Sequence, residues 1–248
     1  MTRKTGSIAL VGAGPGAADL LTLRALDRLR AADVVYYDRL VDPAVLDLIP
    51  PHAERIFVGK EVGRHAWPQA RIDRTITAAA RAGRRVVRLK SGDPGIFGRA
   101  GEELAAAHAA GIPVEIVPGI TAASAAAASL GQPLTERGQT DHLVIATGTC
   151  RPGDEAPDWG ALLVPGTTLA LYMAMGKLAE VEVSLRAAGM PSSTGIDMVS
   201  EASTGRERRL VTTLGRMRAD VAASGLTGPA IIFVRRPKPA DTALALIA

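Results

Sequence analysis

The sequence predicts an α/β protein of two domains, the first with a mostly parallel sheet and the second with a mixed sheet. In the first half of the chain, short apolar segments alternate with segments of helical spacing, as in strands linked by crossover helices. The stretch from Pro133 to Gln139 is polar and rich in turn residues. Two strand-like segments then follow one another over 196–214 without a helix between them, which favours antiparallel pairing. We therefore predict domains at 1–134 and 135–248.

Hydrophobic periodicity predicts the elements of the first half. The apolar run 7–11 ends at a glycine and predicts a buried strand. Leucines at helical spacing predict a helix over 19–30, with Asp19 as its N-cap. Further strands are predicted at 34–37, 55–58, 85–89 and 114–117, and further helices at 68–82, 99–110 and 121–129.

The second half predicts five strands and two helices. The strands are expected at 142–147, 168–173, 196–200, 208–214 and 230–235, and the helices at 177–188 and 216–223. Because helices separate only some of these strands, the sheet is expected to be mixed.

Composition excludes several classes of protein. The chain is 47% hydrophobic and 22% charged, which is ordinary for a globular protein. Aromatic residues are scarce and the net charge of +4 is spread along the chain, so we expect no nucleic-acid partner. Four scattered histidines and a single cysteine, Cys150, predict no metal site and no intrachain disulfide. No apolar run reaches the roughly 18 residues that span a bilayer, and no secretory segment opens the chain, so we expect a cytoplasmic protein with no membrane partner.

A glycine-rich loop follows the first predicted strand. Gly12-Ala13-Gly14-Pro15-Gly16-Ala17 fits the fingerprint of a dinucleotide site, and Asp38 ends the next strand, where a ribose-binding acid would lie. An NAD-dependent oxidoreductase is one interpretation, and a tight structural turn is the other. Pro15 removes an N–H that would bind a pyrophosphate, and Asp19 puts a carboxylate at the expected helix terminus. Both features count against a dinucleotide site.

Further motifs follow in order along the chain. They are Asp19-Leu20-Leu21-Thr22, Tyr37-Asp38-Arg39-Leu40-Val41, Val58-Gly59-Lys60, Arg88-Leu89-Lys90-Ser91-Gly92-Asp93-Pro94, Phe97-Gly98-Arg99, Val117-Pro118-Gly119-Ile120-Thr121-Ala122, Pro133-Leu134-Thr135 and Tyr172-Met173. With the glycine-rich loop, this series resembles the tetrapyrrole methylase family, and most closely its uroporphyrinogen-III C-methyltransferase branch. The resemblance extends from Ile8 to about Val234.

The resemblance implies a fold, a cofactor and a reaction. Family members have two α/β domains with a site for S-adenosylmethionine (SAM) in the cleft between them, and they are usually homodimers. In this branch the methyl group of SAM passes to C-2 and C-7 of uroporphyrinogen III, giving precorrin-2 and S-adenosylhomocysteine, at the branch point towards sirohaem, cobalamin and haem d1. Another precorrin methyltransferase, a diphthine-type methylase, an NAD-dependent oxidoreductase and a non-enzymatic sensor are the alternatives.

The chain departs from the family pattern at a few positions. Ser91, Ala100 and Ala174 stand where glycine is usual, and 200–202 reads Ser-Glu-Ala where Glu-Asn-Gly is typical. An added small side chain is tolerable there unless the backbone φ is positive. Glu136 replaces a usual histidine, which bears on the choice of tetrapyrrole.

The predicted cofactor contacts come from the resemblance. They are Pro15, Ser91, Gly92, Asp93, Ile96, Thr121, Ala122, Met173 and Ala202. Residues 91–94 follow a predicted strand, at the sheet edge where ligands bind, and Asp93 could bind ribose hydroxyls or the cationic end of SAM. The alternatives are a turn capped by Asp93, an N-cap role for Thr121 and a core position for Met173.

The predicted catalytic residues are Asp38, Lys60, Arg99 and Glu102. Loss of the pyrrole N–H proton makes ring carbons electron-rich, and Asp38 could accept that proton while Lys60 returns one or binds a carboxylate. Arg99 could grip a substrate carboxylate with Glu102 orienting it, since the two share a helix face. The structural alternatives are a turn acid paired with Arg39 and a helix-terminal ion pair.

Overall fold

The structure is a computed structural model that describes residues 5–59, 67–151 and 153–239. The chain divides into two compact units, Met1–Ala122 and Ala123–Ala248. The boundary expected from the sequence, after residue 134, lies further along the chain than this division.

Five parallel strands form the sheet of the first unit. They are β1 (Ser7–Gly12), β2 (Val34–Tyr37), β3 (Glu54–Phe57), β4 (Arg85–Lys90) and β5 (Val114–Val117). Their order is β3-β2-β4-β1-β5, and each neighbouring pair is parallel. The predicted parallel sheet is thus confirmed, with β4 and β1 interior to it.

Helices cover both faces of this sheet. They are α1 (Leu23–Ala31), α2 (Pro43–Leu46), α3 (Gln69–Arg81) and α4 (Ala100–Ala109), and α5 (Ala122–Ser129) begins at the division between the units. One core cluster includes Leu29 of α1 and Val45 of α2, and the other includes Ile76 of α3 and Ala107 of α4. Strand residues alternate between these two clusters, as in a sheet buried on both sides.

The beginning of α1 differs from the prediction. Residues Ala18–Leu20 form a single 3₁₀ turn, and Leu21 has extended dihedral angles, so α1 begins only at Leu23. Thr22 is its N-cap, because the Thr22 side-chain oxygen accepts a 3.2 Å hydrogen bond from the Ala25 amide. The N-cap role predicted for Asp19 was therefore wrong.

The second unit contains a mixed sheet. Its strands are β6 (His142–Thr147), β7 (Thr167–Tyr172), β8 (Gly195–Ser200), β9 (Arg208–Thr213) and β10 (Ala230–Arg236), in the order β6-β7-β10-β8-β9. The pair β6–β7 is parallel and the other pairs are antiparallel. Both the mixed sheet and the antiparallel pairing of β8 with β9 were predicted.

Most of α5 lies in this unit, and the described residues of the unit also form α6 (Trp159–Leu162), α7 (Leu178–Ala187) and α8 (Met217–Ser224). Its core joins Trp159, Leu185 and Met217 to buried residues of the strands, such as Leu171 and Ile232. Within the described ranges, no helix has the length and apolarity to cross a membrane.

Candidate active site

The candidate site of the first unit lies along one edge of its sheet. The loops at 12–16, 38–41, 91–99 and 118–121 follow β1, β2, β4 and β5. Because the strands are parallel, these loops share the carboxyl edge, where ligands of open α/β sheets bind. The fold therefore gathers the predicted site residues of these four loops at one edge.

The two glycine loops are joined by backbone hydrogen bonds. The Gly92 amide donates to the Gly14 carbonyl at 2.7 Å, and the Gly14 amide donates to the Gly92 carbonyl at 3.2 Å. Both residues have positive φ, +71° at Gly14 and +69° at Gly92, and a β-carbon at Gly119 would collide with the Gly92 carbonyl. The Gly14 amide is thus occupied by the second loop, and α1 begins well after Pro15. This arrangement favours the structural turn over a pyrophosphate-binding loop.

Asp93 ties the second glycine loop to the loop after β5. Its Oδ1 accepts from the Gly95 amide at 2.7 Å, and its Oδ2 accepts from the Gly119 amide at 3.0 Å. This is the turn-capping role that the sequence left as an alternative. A carboxylate has about four acceptor positions, so two remain for ribose hydroxyls, and the cofactor role of Asp93 stays a prediction.

Three of the predicted cofactor residues are neighbours in space. A β-carbon at Gly92 would lie 3.8 Å from the amide nitrogen of Ala122 and 4.0 Å from the α-carbon of Thr121. The α5 helix begins at Ala122, so the amides of its first turn have no partner within the helix. Nearby, the Ile96 amide donates to the Asp93 carbonyl at 3.2 Å, and both Ser91 and Pro15 are half-buried.

The Asp38 carboxylate is held in one orientation at the end of β2. Its Oδ1 accepts a 3.1 Å hydrogen bond from the Leu40 amide, and its Oδ2 lies 3.3 Å from Nη2 of Arg88. The side chain is 28% exposed, so the carboxylate remains accessible. Its cationic partner is thus Arg88 and not the neighbouring Arg39. Lys60, predicted to act with Asp38, lies outside the described residues.

A buried charged cluster, which was not predicted from the sequence, adjoins Asp38. Glu103 of α4 is fully buried and accepts from Nε of Arg88 at 3.1 Å and from Nζ of Lys90 at 2.8 Å. Burial, followed by the positive charge of Arg88, lowers the pKa of Lys90. Two basic residues two apart on an interior strand were the signal available in the sequence, because such charges are rarely buried unless paired.

Arg99 and Glu102 form a bidentate ion pair at the beginning of α4. Both hydrogen bonds measure 2.8 Å, and the side chains are 57% and 41% exposed. The hydrogen bond from Arg99 to Glu102 raises the pKa of Arg99. The prediction that Arg99 opens the helix was wrong, because Arg99 is the N-cap, with a left-handed backbone (φ +58°), and α4 begins at Ala100. The substrate contact of this pair stays a prediction.

Left-handed backbone conformations at non-glycine residues cluster near the predicted site residues. In the described ranges they occur at Phe97, Arg99, Met173, Glu201 and Ser203. Such conformations cost about 1–3 kcal/mol each and persist where the surroundings impose them, often at functional sites. The positions replacing family glycines, Ser91, Ala100, Ala174 and Ala202, are not among them, so their side chains are tolerated as expected.

In the second unit, Met173 follows β7 and is 50% exposed, so it is not a core residue. The hydroxyl of Thr149 donates to the Met173 carbonyl at 3.2 Å, and the neighbouring Tyr172 hydroxyl accepts from the Ala123 amide at 2.8 Å. These bonds hold the segment from both sides. A side chain exposed on a restrained backbone is suited to contact a ligand.

Ala202 lies in the loop after β8. It is buried, and the preceding Glu201 amide donates to the Pro229 carbonyl at 3.0 Å. Glu201 also pairs with Arg206, and the Ser203 amide donates to Glu207 at 2.7 Å. Hydrogen bonds on both sides therefore restrain the backbone around Ala202. Across the part of the chain that the structure describes, no group of three or more His, Cys, Asp or Glu side chains is placed to hold a metal.

Comparison with known proteins gives one family. Residues 7–218 match the family described as Tetrapyrrole (Corrin/Porphyrin) Methylases. The chain is 48% identical over 209 residues to a siroheme synthase of Tolumonas auensis, covering 84% of this chain and 45% of that protein. It is 44% identical over 232 residues to siroheme synthase 1 of Yersinia pseudotuberculosis, covering 94% of this chain and 49% of that protein. The chain thus spans about half the length of these relatives.

Solved structures of similar length also match. The uroporphyrin-III C-methyltransferase of Thermus thermophilus is 36% identical with a TM-score of 0.77, and the match covers 93% of this chain and 92% of that one. A structure of the Thermus thermophilus enzyme with bound S-adenosylhomocysteine is 38% identical with a TM-score of 0.76, covering 93% and 97%. A cobalt precorrin-4 methyltransferase is 28% identical with a TM-score of 0.81, covering 92% and 94%.

Proposed function

Because the chain belongs to the tetrapyrrole methylase family, we propose that it is a SAM-dependent C-methyltransferase that converts uroporphyrinogen III to precorrin-2 by methylation at C-2 and C-7. The similarity to a uroporphyrin-III C-methyltransferase over most of both chains supports this reaction within the family. The similarity to siroheme synthases supports it too, although the chain covers about half of those proteins.

The orientation of Asp38 is the observation that carries the proposal. A methyl group transfers to a pyrrole carbon only when that carbon is electron-rich, and loss of the pyrrole N–H proton makes it so. Asp38 presents an accessible carboxylate whose two oxygens are fixed by the Leu40 amide and by Arg88. A carboxylate positioned in this way can accept the proton as the methyl group is transferred, an effect typically worth 10²–10⁴ in rate. Lys60, as predicted, would return a proton or bind a substrate carboxylate.

Arg99 and Glu102 would bind the acidic arms of the tetrapyrrole. Uroporphyrinogen carries acetate and propionate groups, and a planar guanidinium can grip a carboxylate through two hydrogen bonds. Glu102 already holds the Arg99 guanidinium through two bonds of 2.8 Å, which fixes the direction of its remaining donors. The role proposed for the pair is therefore to orient the macrocycle.

The residues proposed for SAM fit a ligand with hydroxyl and amino acid groups. SAM, when bound, supplies an electrophilic methyl group and leaves as S-adenosylhomocysteine. Gly92 lacks a side chain beside Thr121 and Ala122, which leaves their backbone groups approachable. Asp93 keeps acceptor capacity for hydroxyl groups, and Pro15, Ser91 and Ile96 adjoin the same loops. In the second unit, Met173 and Ala202 are the proposed contacts.

Ligand titration and turnover test the proposal together. We expect titration calorimetry to give saturable binding of S-adenosylhomocysteine and none of NAD. Incubation with SAM and enzymatically made uroporphyrinogen III should give a product that has gained two methyl groups by mass spectrometry. Tight binding of NAD without a response to S-adenosylhomocysteine would point instead to a nicotinamide enzyme.

A second candidate is methylation of a later precorrin. Two observations favour it, namely the TM-score of 0.81 to a cobalt precorrin-4 methyltransferase and Glu136 in place of the usual histidine. The two candidate reactions can be distinguished by letting uroporphyrinogen III and a later precorrin compete for a limiting amount of SAM. Our proposal requires that uroporphyrinogen III be methylated preferentially.

We also propose a homodimer, on the family resemblance, and a reducing, cytoplasmic location, on the single cysteine. Light scattering at micromolar concentration should give twice the chain mass of 25.7 kDa. A mass equal to that of one chain would contradict this proposal.

A further inference from the structure

The charged cluster of Arg88, Lys90, Glu103 and Asp38 is unusual in its burial. Arg88 and Lys90 are each 5% exposed, and Glu103 has no exposed surface. Arg88 and Lys90 lie on β4, Glu103 lies on α4, and Asp38 directly follows β2, the strand beside β4 in the sheet. Burying such charges is costly, and a buried ion pair often adds no net stability over apolar residues of the same size. Stabilisation alone is therefore a weak explanation for the cluster.

Each nitrogen of the Arg88 guanidinium has a partner. Its Nε donates to Glu103 at 3.1 Å, its Nη1 donates to the Leu89 carbonyl at 2.8 Å, and its Nη2 donates to Asp38 at 3.3 Å. Because the guanidinium is planar and rigid, fixing Nε and Nη1 also fixes the direction of Nη2. Glu103 is in turn fixed by Lys90 at 2.8 Å. The orientation of Nη2 is thus determined by buried groups, namely the Glu103 carboxylate and the Leu89 carbonyl.

We propose that Arg88 and Glu103 are positioning residues that set the orientation of the Asp38 carboxylate for proton transfer. Glu103 holds Arg88, and Arg88 holds Oδ2 of Asp38 while the Leu40 amide holds Oδ1. The Asp38 side chain stays 28% exposed, so a substrate can still reach the carboxylate. The inference rests on the proposed function, since it assigns to Arg88 and Glu103 an effect that passes through Asp38.

A double-mutant cycle tests this coupling. The variants are Asp38→Asn, Arg88→Met and their combination, with kcat and KM for the tetrapyrrole and Kd for S-adenosylhomocysteine measured for each. Arg88→Met should lower kcat about 10- to 100-fold, because small displacements of a reacting group have effects of that size. We expect the KM and the Kd to change less than about threefold. In the Asp38→Asn background, Arg88→Met should cause almost no further loss, because the two effects share one pathway.

Folding is controlled by two further variants. Arg88→Met/Glu103→Gln removes one positive and one negative charge together, which avoids leaving Glu103 without Arg88. Arg88→Lys keeps the positive charge but loses the rigid fork. Both should retain a cooperative thermal transition, and both should show the loss in kcat. Arg85→Met is the matched control, because Arg85 lies on the same strand and pairs with Asp33 at 2.7 Å, away from Asp38. It should leave kcat unchanged.

The outcomes separate the inference from the function on which it rests. Absence of methyl transfer by the unchanged protein would overturn the proposed function, whereas normal turnover by Asp38→Asn would overturn the role of Asp38 as proton acceptor and the positioning role with it. If Asp38→Asn is impaired but the folded Arg88 variants turn over normally, the function stands and the positioning role is wrong. The positioning role would also be wrong if the two losses of kcat multiplied in the combined Asp38→Asn/Arg88→Met variant, because Arg88 would then act independently of Asp38.

Discussion

The two units place different chemistry around their predicted site residues. In the first unit, the carboxyl edge of the sheet carries Asp38, the buried Arg88 and Glu103, and the Arg99–Glu102 pair. In the second unit, the predicted contacts are uncharged: Met173 and Ala202 lie on or beside a left-handed backbone. We therefore propose that the charged residues of the first unit carry proton transfer and carboxylate binding, whereas Met173 and Ala202 of the second unit make apolar contacts with the cofactor. Changes at the charged residues of the first unit should therefore affect turnover, and changes at Met173 in the second unit should affect cofactor affinity.

The largest effect is expected at Asp38. Asp38→Asn keeps the shape of the side chain but removes the proton acceptor, so kcat should fall by about 10²–10⁴. Binding of S-adenosylhomocysteine should be unchanged by calorimetry. Asp47→Asn is the control, because Asp47 is an exposed acid at the C-cap of α2. If Asp38→Asn weakened cofactor binding and left kcat unchanged, Asp38 would not have the role in proton transfer that we propose.

Arg99→Leu should have the next largest effect. Loss of a charge-assisted hydrogen bond should cost about 1.5–3 kcal/mol in tetrapyrrole binding, and misplacement of the macrocycle could lower the rate about a hundredfold more. Cofactor binding and the thermal midpoint should stay close to those of the unchanged protein, because the Arg99–Glu102 pair is exposed.

Lys177→Leu provides the matched control for Arg99. Lys177 is also an N-cap residue and also pairs with a glutamate three residues on, Glu180, at 2.9 Å. Near-normal dimethylated product from folded Arg99→Leu would show that its ion pair is only structural.

In the second unit, Met173→Ala should change affinity more than rate. Removing half-exposed apolar surface that a ligand would cover should cost about 1 kcal/mol of binding, or roughly fivefold in Kd for S-adenosylhomocysteine. The kcat at saturating SAM should change only a few-fold. Val183→Ala, at an exposed position of α7, should change neither quantity. A large loss of kcat with unchanged Kd would contradict the proposed role of the second unit.

The smallest effect concerns a charge at the opposite edge of the first sheet. Hydrogen bonds from Arg85 lower the pKa of Asp33 to about 2. A lowered carboxyl pKa contributes stability above the unfolded value of about 3.9, and that contribution is lost as pH falls towards 2. Asp33→Asn should therefore flatten the decline of unfolding free energy over this acidic range. The effect should stay below about 1 kcal/mol, because the pair is exposed.

Urea denaturation at several pH values measures the effect of Asp33→Asn, with methyl transfer at neutral pH as the comparison. Turnover should be normal, since Asp33 lies before β2, at the amino edge. A variant that lost turnover would show that the functional charges are not confined to the carboxyl edge.

Regular periodicity accounts for what the sequence could predict. Strands such as β2, β5 and β6 were predicted to the residue, because their apolar runs are bounded by turn residues. The four-residue helices α2 and α6 were missed, since one turn shows no helical period. The beginning of α1 was misplaced because Asp19 and Thr22 are both good N-cap residues, and only the extended Leu21 decides between them.

The site was predicted less completely, for a physical reason. The loops were found because their glycines and prolines are local signals. The pairing of Arg88 with Asp38 joins residues 50 positions apart, and no local pattern reveals such a contact. Left-handed conformations at Phe97 and Glu201 were equally hidden, since these residue types rarely adopt them. Tertiary packing imposes both features.

Methyl transfer to uroporphyrinogen III tests the central claim most directly. The protein would be incubated with uroporphyrinogen III and SAM carrying a carbon-13 methyl group, and the tetrapyrrole product examined by NMR. We predict labelled methyl groups at C-2 and C-7, with their appearance abolished or strongly slowed in Asp38→Asn. If the unchanged, folded protein gave a tetrapyrrole without the carbon-13 label, the proposed methyl transfer would be contradicted.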